Sequence, residues 1–138
     1  MIIVRPPSIP FIPMGMNKNG SDDIEKQTSR KVTGWIERPG YPGSQIVNDE
    51  LVANGDGNIT IYASLTRSGK NSTNDRSYIY INGVQVVQSA TWNFDETKEI
   101  TWTGSISNGA SISVWFNNTN AFSSNSITGG YVYYTINP

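Results

Sequence analysis

Tyr78-Ile79-Tyr80-Ile81-Asn82-Gly83-Val84-Gln85-Val86-Val87 decides the fold class. Two runs of β-branched and aromatic residues flank Asn82-Gly83, the preferred pair for a two-residue type I′ turn, in which both central residues need positive φ. Such a turn predicts pairing of Ile81 with Val84 and of Ile79 with Val86, all on one face. Register and apolar pattern then agree, as a hairpin requires.

Working outward, Asn58-Ile59-Thr60-Ile61-Tyr62-Ala63-Ser64-Leu65 places Ile59, Ile61, Ala63 and Leu65 on one side, the pattern of a half-buried strand. Further strands are expected at Val32–Ile36, Glu50–Ala53, Lys98–Thr103, Ser111–Asn117 and Tyr131–Asn137. Asn54-Gly55-Asp56-Gly57, Ser107-Asn108-Gly109 and Thr128-Gly129-Gly130 supply the turns. About eight short strands without a helical period predict an all-β fold. Its form is an antiparallel β-sandwich, jelly-roll-like, over residues 32–138.

Residues 1–31 read as an extended arm and polar linker. Prolines at 6, 7, 10 and 13 remove amide donors and fix φ, so Met1–Met16 is expected to be extended. The arm still carries Ile2, Ile3, Val4, Ile9, Phe11, Ile12, Met14 and Met16, more apolar surface than a free tail usually has. Docking on another subunit is favoured over packing back on its own domain and over plain disorder, because a pre-extended chain loses less entropy on binding. Ser21-Asp22-Asp23-Ile24-Glu25-Lys26 is read as one helical turn at most, with Ser21 as its cap, inside the linker.

The chain has 138 residues, 36% hydrophobic and 15% charged, enough for one domain with a modest core. Ten basic residues against eleven acidic ones give net charge −1, so no clustered excess directs it to nucleic acid. No run approaches the ~20 apolar residues of a membrane span. Met1-Ile2-Ile3-Val4-Arg5-Pro6-Pro7 lacks the apolar core expected of a signal peptide. With no cysteine, disulfides and thiolate-bound zinc are excluded.

Catalytic chemistry finds little purchase. There is no histidine, hence no usual general base or triad partner, and no serine stands in a Gly-x-Ser-x-Gly elbow. Glu37, Asp49, Glu50, Asp56, Asp75, Asp95, Glu96 and Glu99 are the available carboxylates for an acid–base pair. Most fall in turns, and adjacent ones on a strand face opposite sides. Asn54-Gly55-Asp56-Gly57-Asn58 suggests a calcium loop but lacks the distal bidentate Glu. Neither a catalytic residue, nor a metal site, nor a cofactor is assigned. The sequons at Asn19, Asn58, Asn71 and Asn117 are of the number chance supplies in so Asn/Ser/Thr-rich a chain.

Aromatics are the remaining signal. Trp115 alternates against Ile112, Val114 and Phe116, and Tyr78 and Tyr80 oppose Ile79 and Ile81. Trp115, Tyr78, Tyr80 and Tyr133 are therefore the candidate contact residues, for a subunit first and a glycan second. An exposed aromatic patch needs a partner.

Two resemblances enter on particular residues. Val32-Thr33-Gly34-Trp35-Ile36-Glu37-Arg38-Pro39-Gly40-Tyr41-Pro42-Gly43-Ser44-Gln45-Ile46, then Leu51-Val52 and Gly55-Asp56-Gly57-Asn58-Ile59-Thr60, resembles a β-rich module of minor tail proteins from phages infecting actinobacteria. Ser44 stands where Thr is usual. Ser107–Val114 and Phe122…Gly129-Gly130-Tyr131-Val132-Tyr133-Tyr134 are similar to trimeric jelly rolls of the tumour-necrosis-factor type, with Ala110 where an acidic residue is expected. Together they imply a non-enzymatic structural virion protein, made in the host cytoplasm. It would be homo-oligomeric, a trimer by the second resemblance, and held among other virion proteins by its arm. Alternatives are a capsid decoration protein or a host-adhesion module that binds a surface glycan.

Overall fold

A computed structural model describes residues 10–69, 74–93 and 95–138. Every regular element in them is a strand: β1 Gly15–Lys18, β2 Asp22–Ile24, β3 Thr28–Lys31, β4 Trp35–Glu37, β5 Ile46–Val47, β6 Glu50–Val52, β7 Gly57–Gly69, β8 Arg76–Ile81, β9 Val84–Gln88, β10 Glu96–Ile106, β11 Ser111–Asn118 and β12 Asn125–Asn137. They form two antiparallel sheets packed as a jelly-roll sandwich. The first has the order β10-β7-β12-β1-β4, with β2 also on β12. The second runs β5-β6-β11-β8-β9, with β3 also on β11.

The alternating residues of β7 meet expectation: Ile59, Ile61, Ala63 and Leu65 are buried between the sheets. They share the core with Val132 and Tyr134 of β12 and with Ile79, Ile112, Val114 and Phe116 of the second sheet. The hairpin is also present, with Asn82 at φ 51° and Gly83 at 77°. Ile81 pairs with Val84, but Ile79 pairs with Val87 rather than Val86, because a register shift follows the Tyr80–Gln85 pair. An extra residue in one strand is a bulge, which sharpens local twist.

The N-terminal boundary needs correction. The sandwich does not begin at residue 32, and the described part of the arm packs on its own domain. Met14 and Met16 are wholly buried, and Phe11 and Ile12 pack against the same core. Backbone pairing holds them there, with β1 lying between β12 and β4. Tyr134 Oη donates to the Ile12 carbonyl at 2.9 Å, and Phe11 lies 5.8 Å from the Tyr134 ring. Partner docking is thus withdrawn for Phe11, Ile12 and Met14. Ile2, Ile3, Val4 and Ile9 lie outside the described residues.

The linker is folded as well. Ser21–Lys26 makes no helical turn; Ile24 is buried in β2, and Asp22 accepts hydrogen bonds from the Arg30 guanidinium and the Thr33 amide. The strand expected at Val32–Ile36 is divided. Gly34 at φ 88° breaks it, so β3 joins the second sheet and β4 the first.

The two ends of the sandwich are closed differently. At one, the apolar arm covers the core. At the other, Arg67 and Asp75 form a 2.6 Å ion pair with both side chains fully buried. Asp75 also accepts from the Thr119 amide and hydroxyl and from Asn125 Nδ2, and Arg67 lies 5.7 Å from the Trp92 ring. A buried carboxylate with this many donors is adequately satisfied.

Candidate functional site: a tyrosine face

Period two sends alternate residues of β12 to opposite sides. Val132 and Tyr134 point into the core, so Tyr131 and Tyr133 stand on the outer face of the first sheet. Tyr62 of β7 is in register with Tyr133, and their rings stack at 4.9 Å and 17°. Tyr131 and Tyr41 each lie 5.5 Å from the Tyr133 ring. Ile36 of β4, 49% exposed, sits on the same side, paired with Asn17.

Arg38 lies over this cluster. Its guanidinium carbon is 4.5 Å from the Tyr131 ring centre, 5.0 Å from Tyr133 and 5.7 Å from Tyr41. Its Nη1 donates to Asn17 Oδ1 at 2.8 Å. Gly15 makes room: a Cβ there would come within 3.0 Å of both Arg38 Cδ and Tyr133 Cβ. Ser44 holds the loop in place, donating to the Tyr41 carbonyl at 2.7 Å and accepting from the Gly15 amide at 2.9 Å. A threonine would supply the same hydroxyl.

Glu99 of β10 completes the face by accepting a hydrogen bond from Tyr131 Oη. That bond, with burial and the carboxylate's charge, pushes the Tyr131 phenol up to about 12. Burial, then the Glu99 charge, also raises Tyr133. Both phenols stay neutral in ordinary buffers. The face therefore offers flat, half-buried rings, one guanidinium and one carboxylate; Tyr and Arg are enriched in protein–protein contacts.

The four aromatic candidates divide between two surfaces. Tyr133 belongs to the tyrosine face. Trp115, Tyr78 and Tyr80 lie together on the outer face of the second sheet, where Tyr80 stacks on Trp115 at 4.4 Å and 11° and meets Tyr78 edge-on at 6.4 Å. Trp115 Nε1 donates to Ser113 Oγ at 3.1 Å. Lys31 faces Trp115, Gln88 faces Tyr78 and Gln85 faces Tyr80 in the ladders. Sequence reasoning missed Arg38 and Glu99 as companions of the tyrosines. Their contact depends on strand order, so no local signal marked them.

The carboxylates have individual structural places. Asp49 accepts from the Gly34 and Trp35 amides, Asp56 from the Asn108 amide, and Glu50 and Glu96 pair with Lys31 and Lys98. Among the described residues no three His, Cys, Asp or Glu side chains are grouped to hold a metal. No helix among them is long and apolar enough to cross a membrane.

No family profile and no curated protein matches the sequence. Solved structures do match the fold. The Eiger tumour necrosis factor from S. frugiperda is similar at TM-score 0.63 and 12% identity, covering 94% of each chain. Murine APRIL is similar at TM-score 0.62 and 10% identity, over 90% of this chain and 99% of that one. Rabbit GITRL follows at 0.55 and 13%, over 91% and 94%. These likenesses define the class by fold: a jelly roll of the tumour-necrosis-factor type.

Proposed function

We propose that this chain is a non-catalytic structural module of a phage particle that associates with two copies of itself through the tyrosine face. The observation that carries the reading is that face. Four tyrosines, an arginine and Ile36 form one half-exposed surface on the outer side of the first sheet. Trimeric assembly is supported by the fold likeness, since jelly rolls of this type are the trimers that the C-terminal half resembles. The particle is supported by the Val32–Ile46 resemblance to minor tail proteins, and Arg38 and Tyr41 of that motif help to build the face. Native mass spectrometry of the full chain should give three copies. A monomer persisting at tens of micromolar would sink the reading, and so would absence of the protein from purified particles.

A second reading, host adhesion, is favoured by one observation. The Tyr78, Tyr80 and Trp115 cluster lies on the opposite sheet and would stay outermost in such an assembly, bordered by Gln85 and Gln88. Aromatic rings beside neutral amides suit the C–H faces and hydroxyls of a sugar. Quenching of tryptophan fluorescence by host cell-wall glycan, lost in Trp115→Ala, would support it; unchanged emission would exclude it.

A further inference from the structure

We infer that Asn19 is a site of spontaneous modification, where the side-chain amide is lost and an aspartyl or isoaspartyl residue takes its place. The Asn-Gly pair on which this chemistry depends occurs four times, at Asn19, Asn54, Asn82 and Asn108. The glycine main-chain nitrogen attacks the asparagine Cγ. A new C–N bond closes a succinimide ring, and the side-chain nitrogen leaves as ammonia with the proton that the glycine nitrogen gives up. Water then opens the ring: breaking the new Cγ–N bond gives aspartate, and breaking the original peptide bond gives isoaspartate. No carbon is oxidised or reduced, so water is the only co-reactant. Glycine favours the attack because it has no Cβ to obstruct it and reaches conformations closed to other residues.

The sequence treats the four pairs alike; the fold does not. Asn54 is held at both ends of its amide, where Oδ1 accepts from the Ile12 amide at 3.2 Å and Nδ2 donates to the Pro10 carbonyl at 2.9 Å. Asn82 Oδ1 accepts from the Ser111 amide at 3.0 Å. At Asn108 the nucleophile is engaged, because the Gly109 amide donates to the Ala53 carbonyl at 2.8 Å. Asn19 has neither restraint. Its main-chain amide donates to the Gly34 carbonyl at 2.8 Å, but its side-chain amide and the Gly20 N–H make no hydrogen bond among the described residues. Both residues are exposed in the bend between β1 and β2. Gly20 stands at φ 77° with open space where a Cβ would be. Ring closure there needs only local motion, whereas each other pair must first break a hydrogen bond. The product adds one negative charge to a chain of net charge −1.

The full chain, held for weeks in mildly alkaline buffer at body temperature, is digested with trypsin and mapped by mass spectrometry. Cleavage after Lys18 and Lys26 isolates residues 19–26 as one peptide. That peptide should gain one mass unit and split into aspartyl and isoaspartyl forms, at least fivefold faster than the peptides holding Asn54, Asn82 or Asn108. An acidic satellite on ion exchange should grow in step and be absent from Asn19→Gln. In urea the four sites should react at similar rates. If another pair keeps pace with Asn19 in the folded chain, or Asn19 stays intact, the inference is overturned. Selectivity that persists unchanged in urea overturns it too, because the fold would then not be its source.

Discussion

The two outer faces of the sandwich both carry stacked aromatics, yet they are built for different company. On the first sheet, Tyr62, Tyr131 and Tyr133 are joined by Arg38 and Tyr41 from the segment after β4 and by Glu99 from β10. On the second, Tyr78, Tyr80 and Trp115 are bordered by Gln85, Gln88 and Ser113, with Lys31 opposite Trp115. The first face gathers residues from four strands and a loop, with charge set at defined points. That suits a large, shape-matched surface such as another copy. The second presents a Tyr80–Trp115 stack beside the amides of Gln85 and Gln88. Aromatic content alone does not distinguish the two; the neighbours do.

The largest effect should fall between the faces. Asp75→Ala leaves Arg67 charged and buried, and should cost about 3–5 kcal/mol in urea unfolding. Both faces would weaken together, since β7 and β8 carry one of each. If Asp75→Ala unfolds like the parent, the buried pair has little hold on the sandwich.

Next, Tyr133→Glu should dissociate the assembly by about 2–4 kcal/mol per interface, the range of a central aromatic contact, while Tyr80→Glu leaves it intact. Sedimentation equilibrium on both variants decides this. Equal losses would erase the distinction between the faces. Arg38→Ala should weaken assembly by about 1–2 kcal/mol, with Arg38→Lys only a partial rescue, because an ammonium cannot lie flat across three rings.

A pH titration gives a smaller, sharper signal. The Tyr131 phenol is raised from 10.0 to about 12, chiefly by its bond to Glu99. A raised acid favours the folded, protonated form, so this contribution is complete below pH 10 and is lost as pH rises toward 12. Glu99→Gln should move the Tyr131 tyrosinate absorbance transition down toward 10. An unmoved transition would remove Glu99 from the face. The smallest effect should be Trp115→Ala on association, which should show no measurable change.

Much of this was legible from local pattern. The Asn82-Gly83 hairpin and the alternation of β7 follow from turn chemistry and period two, which need no distant partner, whereas the turn expected at Thr128-Gly129-Gly130 is an irregularity inside β12. Arg67 itself continues the Ile59, Ile61, Ala63, Leu65 face, so a buried charge could have been read from spacing. Two features resisted. β1, β2 and β3 are three or four residues long and polar in part, and only pairing with β12 and β11 makes them strands. The surface that receives Phe11, Ile12, Met14 and Met16 is made by β12 and by the Asn54 turn, far away in sequence.

The sequence by itself determined the all-β class, the main hairpin, the central strands and which side chains leave the core, because those follow from periods and turns within a few residues. Only the tertiary structure decided that Met14 and Met16 belong to the core, that Arg38 lies over Tyr131 and Tyr133, and that Tyr133 and Trp115 stand on opposite faces. Those facts depend on the order of strands in each sheet. That order is set by long-range burial, which local alternation does not encode.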